Sequence, residues 1–323
     1  MTDTPPPPDY DFVVLGAGIV GSAIARELAG YHHTVALVEA RDDVGDGTSK
    51  ANTAILHTGF DAKPGTLESR MVSRGYTLLS EYAQQTGIPV ERSGAILVAW
   101  NDEELAALPG LRDKAADNGY THCDIIDADE VYRLVAALGD GALGGLTVPD
   151  ESIICTWTTN LALATDAVAR GVTLRTRTRA ESVTVQPERT ILHTSSGDIS
   201  ARWVINAAGL GADYIDKEFG YDRFHVTPRR GELLVYDKLA RPLIDKIVLP
   251  VPTSRGKCSG QPDDLRQRDA RAHCGRPHRP FRDGDVGGRL RVLAGQGRHA
   301  DAPPARGGGH RHVRRTPCRH RLR

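Results

Sequence analysis

An apolar run that empties into Gly16-Ala17-Gly18-Ile19-Val20-Gly21, a helix opened by that turn, and a second apolar run ending on Glu39 together predict an α/β fold. The expected architecture is Rossmann-like: three layers around a mostly parallel sheet, with an interleaved α+β lobe. At 323 residues and 34.9 kDa the chain is long enough for two bodies with cores of their own.

Residues 1–8 form a proline-rich leader in which little order is expected. Tyr10–Leu15 reads as a buried strand. The helix after the glycine turn carries Ile19, Val20, Ala23, Ile24 and Leu28 as its apolar stripe. Val35–Val38 is the second strand. Residues 45–65 are too polar and glycine-rich for core and read as a loop with a short strand at 53–56. Leu67–Thr86 fits a helix with Leu67, Met71, Leu78, Leu79 and Tyr82 inward. Residues 88–100 have strand character. A helix follows over 102–118, with Pro109-Gly110 as a possible break, and another over 127–134 with Asp127 as its cap.

Further along, 160–169 reads as a helix and 172–178, 181–185 and 190–194 as strands, with a turn at Ser196-Gly197-Asp198. Residues 203–206 read as a buried parallel strand. Ala207-Ala208-Gly209 is expected to be a second place where backbone approaches a ligand. A helix is expected to begin within 210–219, and 225–236 and 246–251 look like strands of the second lobe.

Composition removes several classes of function. Lys+Arg is 41 and Asp+Glu is 41, and hydrophobic residues make up an ordinary 40%. No apolar run reaches membrane-spanning length, so no integral membrane segment is expected. The first 11 residues lack a basic flank followed by an apolar stretch, so no secretory signal is expected. Five cysteines at irregular spacing make no disulfide framework. A cytoplasmic setting is expected, with peripheral docking at the inner face of a membrane left open, as is homo-oligomerisation.

The parts of the first motif have separate tasks. Gly16 allows the tight turn, Gly18 lets backbone approach a pyrophosphate, and Gly21 lets the helix pack on the sheet. The amides that open the helix, at Ile19 and Val20, suit phosphate. Glu39, with Ala40 beside it, lies 18 residues past Gly21 and is placed to accept from ribose hydroxyls. An acid there would repel a 2′-phosphate and argues against NADP.

These residues, with "TSKANTAILHTG" at 48–59, "VINAAG" at 204–209 and "TPRRGELLV" at 227–235, resemble the FAD-dependent oxidoreductases of the D-amino-acid-oxidase-like superfamily. Within it the chain is most similar to the glycerol-3-phosphate dehydrogenase and L-2-hydroxyglutarate dehydrogenase branch, over roughly residues 10–257. The resemblance implies FAD as cofactor. It divides the chain into an FAD-binding domain (1–87 and 151–218) and a substrate lobe (88–150 and 219–257) that is incomplete on its C-terminal side.

By resemblance, Thr48, Ser49 and Asn52 contact the diphosphate or the flavin side, and His57, Thr58 and Gly59 sit near the isoalloxazine. Val183 lies near the adenine, and Ala208 and Gly209 touch the cofactor. The implied reaction is hydride transfer from a small anionic 2-hydroxy substrate to flavin N5, with reoxidation by a quinone, another acceptor or O₂. His57 is a candidate base; the alternative is a loop histidine that only packs against or hydrogen-bonds to the flavin. Arg230 is a candidate carboxylate or phosphate clamp. Strand neighbours alternate, so at most one of Arg229 and Arg230 points inward, unless both face solvent. Cys123 and Cys155 read as buried structural thiols. Asp150-Glu151 reads as a turn between lobes rather than a catalytic pair. The competing functions are an amine or amino-acid oxidase of the same superfamily and an inactive dinucleotide-binding protein. A nicotinamide-dependent dehydrogenase fits less well, because 48–59 and 203–209 do not recur in the simple form of that fold.

The neutral total charge hides a break. Residues 1–257 carry 25 Lys+Arg against 35 Asp+Glu, whereas 258–323 carry 16 Arg and 6 Asp with no Lys, Glu, Ile, Met, Tyr or Trp. A nucleic-acid tail is one reading, opposed by the interspersed Asp and the single aromatic, Phe281; no nucleic-acid partner is expected. A metal site from Cys258, Cys274, Cys318 and the tail histidines is a second, opposed by the absence of any closed zinc spacing; no metal is expected. The third is a shifted reading frame in a GC-rich gene. Residues 258–275, back-translated with permitted codons and read one base later, yield VLVSPTIYGNVMLGPTA. That string has the strand, turn and glycine loop which resemble the continuation of the family sequence after "PVPTSRGK". The tail as written is too poor in large apolar residues to fold, and impaired turnover is expected.

Overall fold

The computed structural model describes residues 7–252 and 291–292; the readings of the rest of the tail lie outside the described residues. In chain order the elements are β1 (Tyr10–Leu15), α1 (Ile19–Leu28), β2 (Val35–Val38), β3 (Ile55–Leu56), α2 (Leu67–Thr86), β4 (Val90–Glu91), β5 (Ala95–Ala99) and α3 (Asp102–Asp117). Then come β6 (Asp124–Asp127), α4 (Ala128–Leu134), β7 (Gly144–Val148), β8 (Ser152–Ile154), α5 (Thr156–Ala169), β9 (Thr173–Arg175) and β10 (Ala180–Val185). The last are β11 (Thr190–Thr194), β12 (Ile199–Asn206), α6 (Ala212–Glu218), β13 (Leu234–Val235), β14 (Ile247–Pro250) and β15 (Arg291–Val292).

The main sheet has the order β10-β11-β12-β1-β2-β9, parallel from β12 to β9 and antiparallel at β10 and β11. Alternation along β1 and β2 sends Val14 and Leu37 to one face, where they pack with Ala25 of α1 and Ala164 and Ala167 of α5. Val13, Leu15, Ala36 and Val38 go to the other, with Ile199 and Ile215 of α6. Three layers result, and the fold is the expected mixed α/β type. A second sheet, β14-β5-β7-β6, carries α3 and α4, and a small third one, β3-β8-β4, connects the two.

Several expectations need correction. Along α1, Val20 is 60% exposed, and the buried face is Gly21, Ser22 and Ala25. Helix α2 carries two apolar stripes, and the sequence does not say which faces inward. Tyr82 and Ala83 are buried with Tyr76 and Leu79 alongside, while Leu67, Met71 and Leu78 are exposed. Strand character over 88–100 is interrupted at Gly94, whose φ of +67° turns the chain and whose amide bonds Glu151 O. Pro109 does not break α3, because burial of Leu108 and Ala115 holds both halves on the sheet. Trp203 is exposed: β11 pairs only with Ile199–Ala201, so the later half of β12 has β1 as its one described neighbour. Within 225–236, Leu234–Val235 pairs with β15 and Arg230 has a single-residue bridge; the rest forms no strand among the described residues. Strand β6 was not expected, and α5 starts four residues earlier than its apolar pattern suggested.

Candidate functional site

The glycine turn sits between β1 and α1 because no other residue fits. Gly16 has φ +101°, and a Cβ there would lie 2.5 Å from Ala207 O. A Cβ on Gly21 would lie 1.8 Å from Gly16 O. Gly16 therefore presses against the start of the 207–209 segment, and α1 against Gly16. Gly209 has φ +57° and open space where a Cβ would be. Asn206 braces that segment, accepting from Ala208 N at 3.3 Å and donating to Ala212 O at 2.8 Å.

Glu39 lies beneath the turn. Its Oε2 accepts from Ala17 N at 2.8 Å and its Oε1 from Arg41 N at 2.9 Å. Each oxygen keeps a second lone pair for a ribose hydroxyl. Ala17 O accepts from Gly45 N at 2.9 Å, from the buried Asn160 Nδ2 at 3.1 Å and from Ser22 Oγ at 3.2 Å. Ala40 follows Glu39, half-buried.

The 48–59 loop returns to the same helix end. Ser49 Oγ accepts from Ile19 N at 2.9 Å, and a Cβ on Gly18 would lie 3.1 Å from that oxygen. The hydroxyl proton of Ser49 is thus left to donate to a further acceptor. Asn52 Nδ2 donates to Thr48 O at 3.2 Å and Ser49 O at 2.9 Å, and Asn52 Oδ1 accepts from Ala54 N at 2.8 Å. Its amide therefore shapes the loop, and Ala54 takes φ +61° there. A cradle that glycine keeps open, helix amides and a ribose-height carboxylate fit the adenosine diphosphate part of a dinucleotide.

Beyond Leu56 the loop reaches a group that the sequence did not reveal. Glu151 is fully buried. Its Oε1 accepts from Thr58 N at 2.7 Å and Thr58 Oγ1 at 3.0 Å, and its Oε2 lies 2.9 Å from His57 Nδ1. The His57 side chain is 44% exposed. Gly59, at φ +90°, then turns the chain toward Phe60 in the core. Asp150, next to Glu151, is held by Tyr120 OH at 2.9 Å and His122 Nδ1 at 2.7 Å, and its carbonyl accepts from Tyr76 OH at 2.9 Å. The His122 bond is the main cause that holds the Asp150 carboxyl below its usual range.

Val183 lies half-buried in β10, facing Leu192; the backbone of Glu39 is bonded instead by Thr178, whose amide donates to Glu39 O at 2.8 Å, and by Arg175, whose carbonyl accepts from Glu39 N at 2.8 Å. Arg230 is exposed, 3.4 Å from Glu232, and is not among the described partners of the His57 group. Cys123 is buried, and burial pushes its thiol up to about 11. Cys155 is not fully buried, unlike the expectation, and its pKa is lowered by the Thr158 hydroxyl 3.0 Å away.

The fold, the glycine cradle and the carboxylate beneath it define a dinucleotide-binding α/β protein. The family model "FAD dependent oxidoreductase" (DAO) matches residues 11–306, and the chain belongs to that family. It is 32% identical over 248 residues to a glycerol 3-phosphate dehydrogenase of Caloramator mitchellensis, covering 77% of this chain and 52% of that protein. To human mitochondrial L-2-hydroxyglutarate dehydrogenase it is 27% identical over 261 residues, covering 76% and 56%. Among solved structures it is similar to the L-alpha-glycerophosphate oxidase of Mycoplasma pneumoniae with FAD bound, with a TM-score of 0.73, 26% identity, and coverage of 77% and 66%. The chain thus spans between half and two thirds of the length of these relatives. Among the described residues no helix is long and apolar enough to cross a membrane.

Proposed function

We propose that this chain holds FAD and carries part of the substrate lobe of an oxidoreductase for a small anionic 2-hydroxy substrate. Glycerol 3-phosphate is the favoured substrate, and L-2-hydroxyglutarate is next. The observation that carries the reading is the cradle itself: Gly18 and the Ile19 amide meet Ser49 at the helix end, with Glu39 bonded beneath. The relatives' names supply the substrate class.

In this reading Gly16, Gly18, Ile19, Ser49 and Glu39 hold the adenosine diphosphate, and His57, Thr58, Gly59, Ala208 and Gly209 border the flavin. Bound FAD supplies a two-electron acceptor for the substrate's hydride and passes the electrons to a quinone, another acceptor or O₂. His57 takes the hydroxyl proton. Arg230 holds the substrate's anionic group, for which its planar fork is suited, in place of Glu232. Residues 1–87 and 151–218 form the cofactor part. Residues 88–150 and 219–257 form the substrate part, joined by the pairing of β14 with β5.

The composition break at 258 belongs to the same proposal: a shifted frame alters the chain from there on, inside the stretch 11–306 that the family model spans, and impairs turnover. Sequencing the gene across codons 254–262 tests the shift. A gene with the frame restored then tests the substrate. Anaerobic bleaching of its flavin band by glycerol 3-phosphate or L-2-hydroxyglutarate supports the reading; bleaching by amino acids alone contradicts it.

A further inference from the structure

We propose that Glu151 is a positioning residue that fixes the tautomer of His57, holding the proton on Nδ1 and leaving Nε2 as the ring's acceptor. The argument begins with the carboxylate. Glu151 is fully buried, and a buried carboxylate oxygen needs a donor. Oε1 has two, the amide and the hydroxyl of Thr58. Oε2 is sealed from solvent and has no hydrogen-bond partner among the described residues, and His57 Nδ1 lies 2.9 Å from it. With the ring proton on Nε2, two lone pairs would face each other across that distance. With the proton on Nδ1, the ring puts a donor 2.9 Å from the one carboxylate oxygen that lacks a partner.

The backbone around Glu151 makes the arrangement stiff. Glu151 O accepts from Gly94 N at 2.9 Å, and Glu151 N donates to Val148 O at 3.3 Å. Asp150 is tied by Tyr120, His122 and Tyr76, so the connection between β7 and β8 cannot shift without breaking several bonds. The carboxylate is therefore a fixed reference against which the half-exposed imidazole is oriented. The inference concerns the ring nitrogen that would face the flavin side, and so rests on the proposed placement of 57–59 there.

The test uses the full chain, supplied with FAD and labelled with ¹⁵N-histidine. The chain has 12 histidines, and His57 is assigned by loss of its signals in His57→Gln. In the wild type the Nδ1 signal is expected in the protonated range and Nε2 in the unprotonated range at high pH. In Glu151→Gln the amide oxygen keeps both Thr58 bonds, the amide NH₂ faces Nδ1, and the two His57 signals are expected to exchange places. Thr58→Val removes a donor from Oε1 only and is expected to leave the tautomer unchanged. A wild-type ring protonated on Nε2 overturns the proposal, even if neither variant folds. So does a folded Glu151→Gln protein in which His57 is unaltered. Failure of the chain to retain FAD would count against the cofactor reading, while the tautomer is still read from the same spectra.

Discussion

Ala17 N donates to Glu39 Oε2 at 2.8 Å, so the acid that closes the second strand holds the glycine turn from below. One side chain fixes the shape of the turn and, in the proposed reading, also presents lone pairs to the ribose. Glu39→Ala removes both. A charge-assisted hydrogen bond contributes about 1.5–3 kcal/mol, so the affinity for FAD is expected to fall roughly tenfold to a hundredfold. Titration of FAD into each protein, followed by flavin fluorescence, measures it.

Among the described glycines, Gly21 has the closest neighbour to an added Cβ. Its added Cβ would meet a carbonyl oxygen at 1.8 Å, which is backbone and has no rotamer to move. Gly21→Ala is expected to destabilise the protein by at least about 1–3 kcal/mol, the usual cost of overpacking, and to lose FAD with it. Urea denaturation gives the first quantity. Gly47, with nothing near its Cβ position, serves as the control: Gly47→Ala should leave the urea midpoint close to that of the wild type.

Acid should loosen the pairing of α1 with α5. Asp166 bonds Arg170 at the C-terminal cap of its own helix and Arg26 across to α1, and these bonds, Arg170's first, lower its pKa. A depressed folded-state pKa means the stabilisation is present above the unfolded value, about 4, and is lost as pH falls through the folded one. The urea midpoint is expected to drop below that pH, and Asp166→Asn should flatten the drop while lowering the midpoint at neutral pH.

The two described thiols should react differently. Burial raises Cys123 to about 11, whereas the Thr158 hydroxyl favours the Cys155 thiolate. Brief alkylation of the native protein at mildly alkaline pH, read by peptide mass mapping, is expected to modify Cys155 and spare Cys123. Equal labelling of the two would contradict the burial of Cys123.

The nucleotide half was legible because its signals are local. Tyr10–Leu15, Val35–Val38 and the turn between them carry their structure in a few consecutive residues. What escaped depends on partners far along the chain. Glu151 acquires its place from Thr58, 93 residues away, and Asn160 reaches Ala17 across 143. Neither has a pattern that marks it; an Asp-Glu pair between two apolar runs looks like a turn. On α2 the expected inward face held at Leu79 and Tyr82 but not at Leu67, Met71 and Leu78, since both stripes have helical spacing and only the neighbouring strands decide between them. Residues 225–233 look like a strand on propensity, yet among the described residues only Arg230 is bridged, because a strand takes its form from an edge to pair with.

The central claim is that the turn over Gly16–Gly21, with Glu39 beneath, holds the adenosine diphosphate of FAD. Equilibrium titration of the intact chain with FAD and, separately, with FMN tests it most directly, because FMN lacks that moiety. Saturable one-to-one binding of FAD, weak binding of FMN, and loss of the difference in Gly18→Val are the expected results. A folded chain with no affinity for FAD, or with equal affinity for both, would contradict the account.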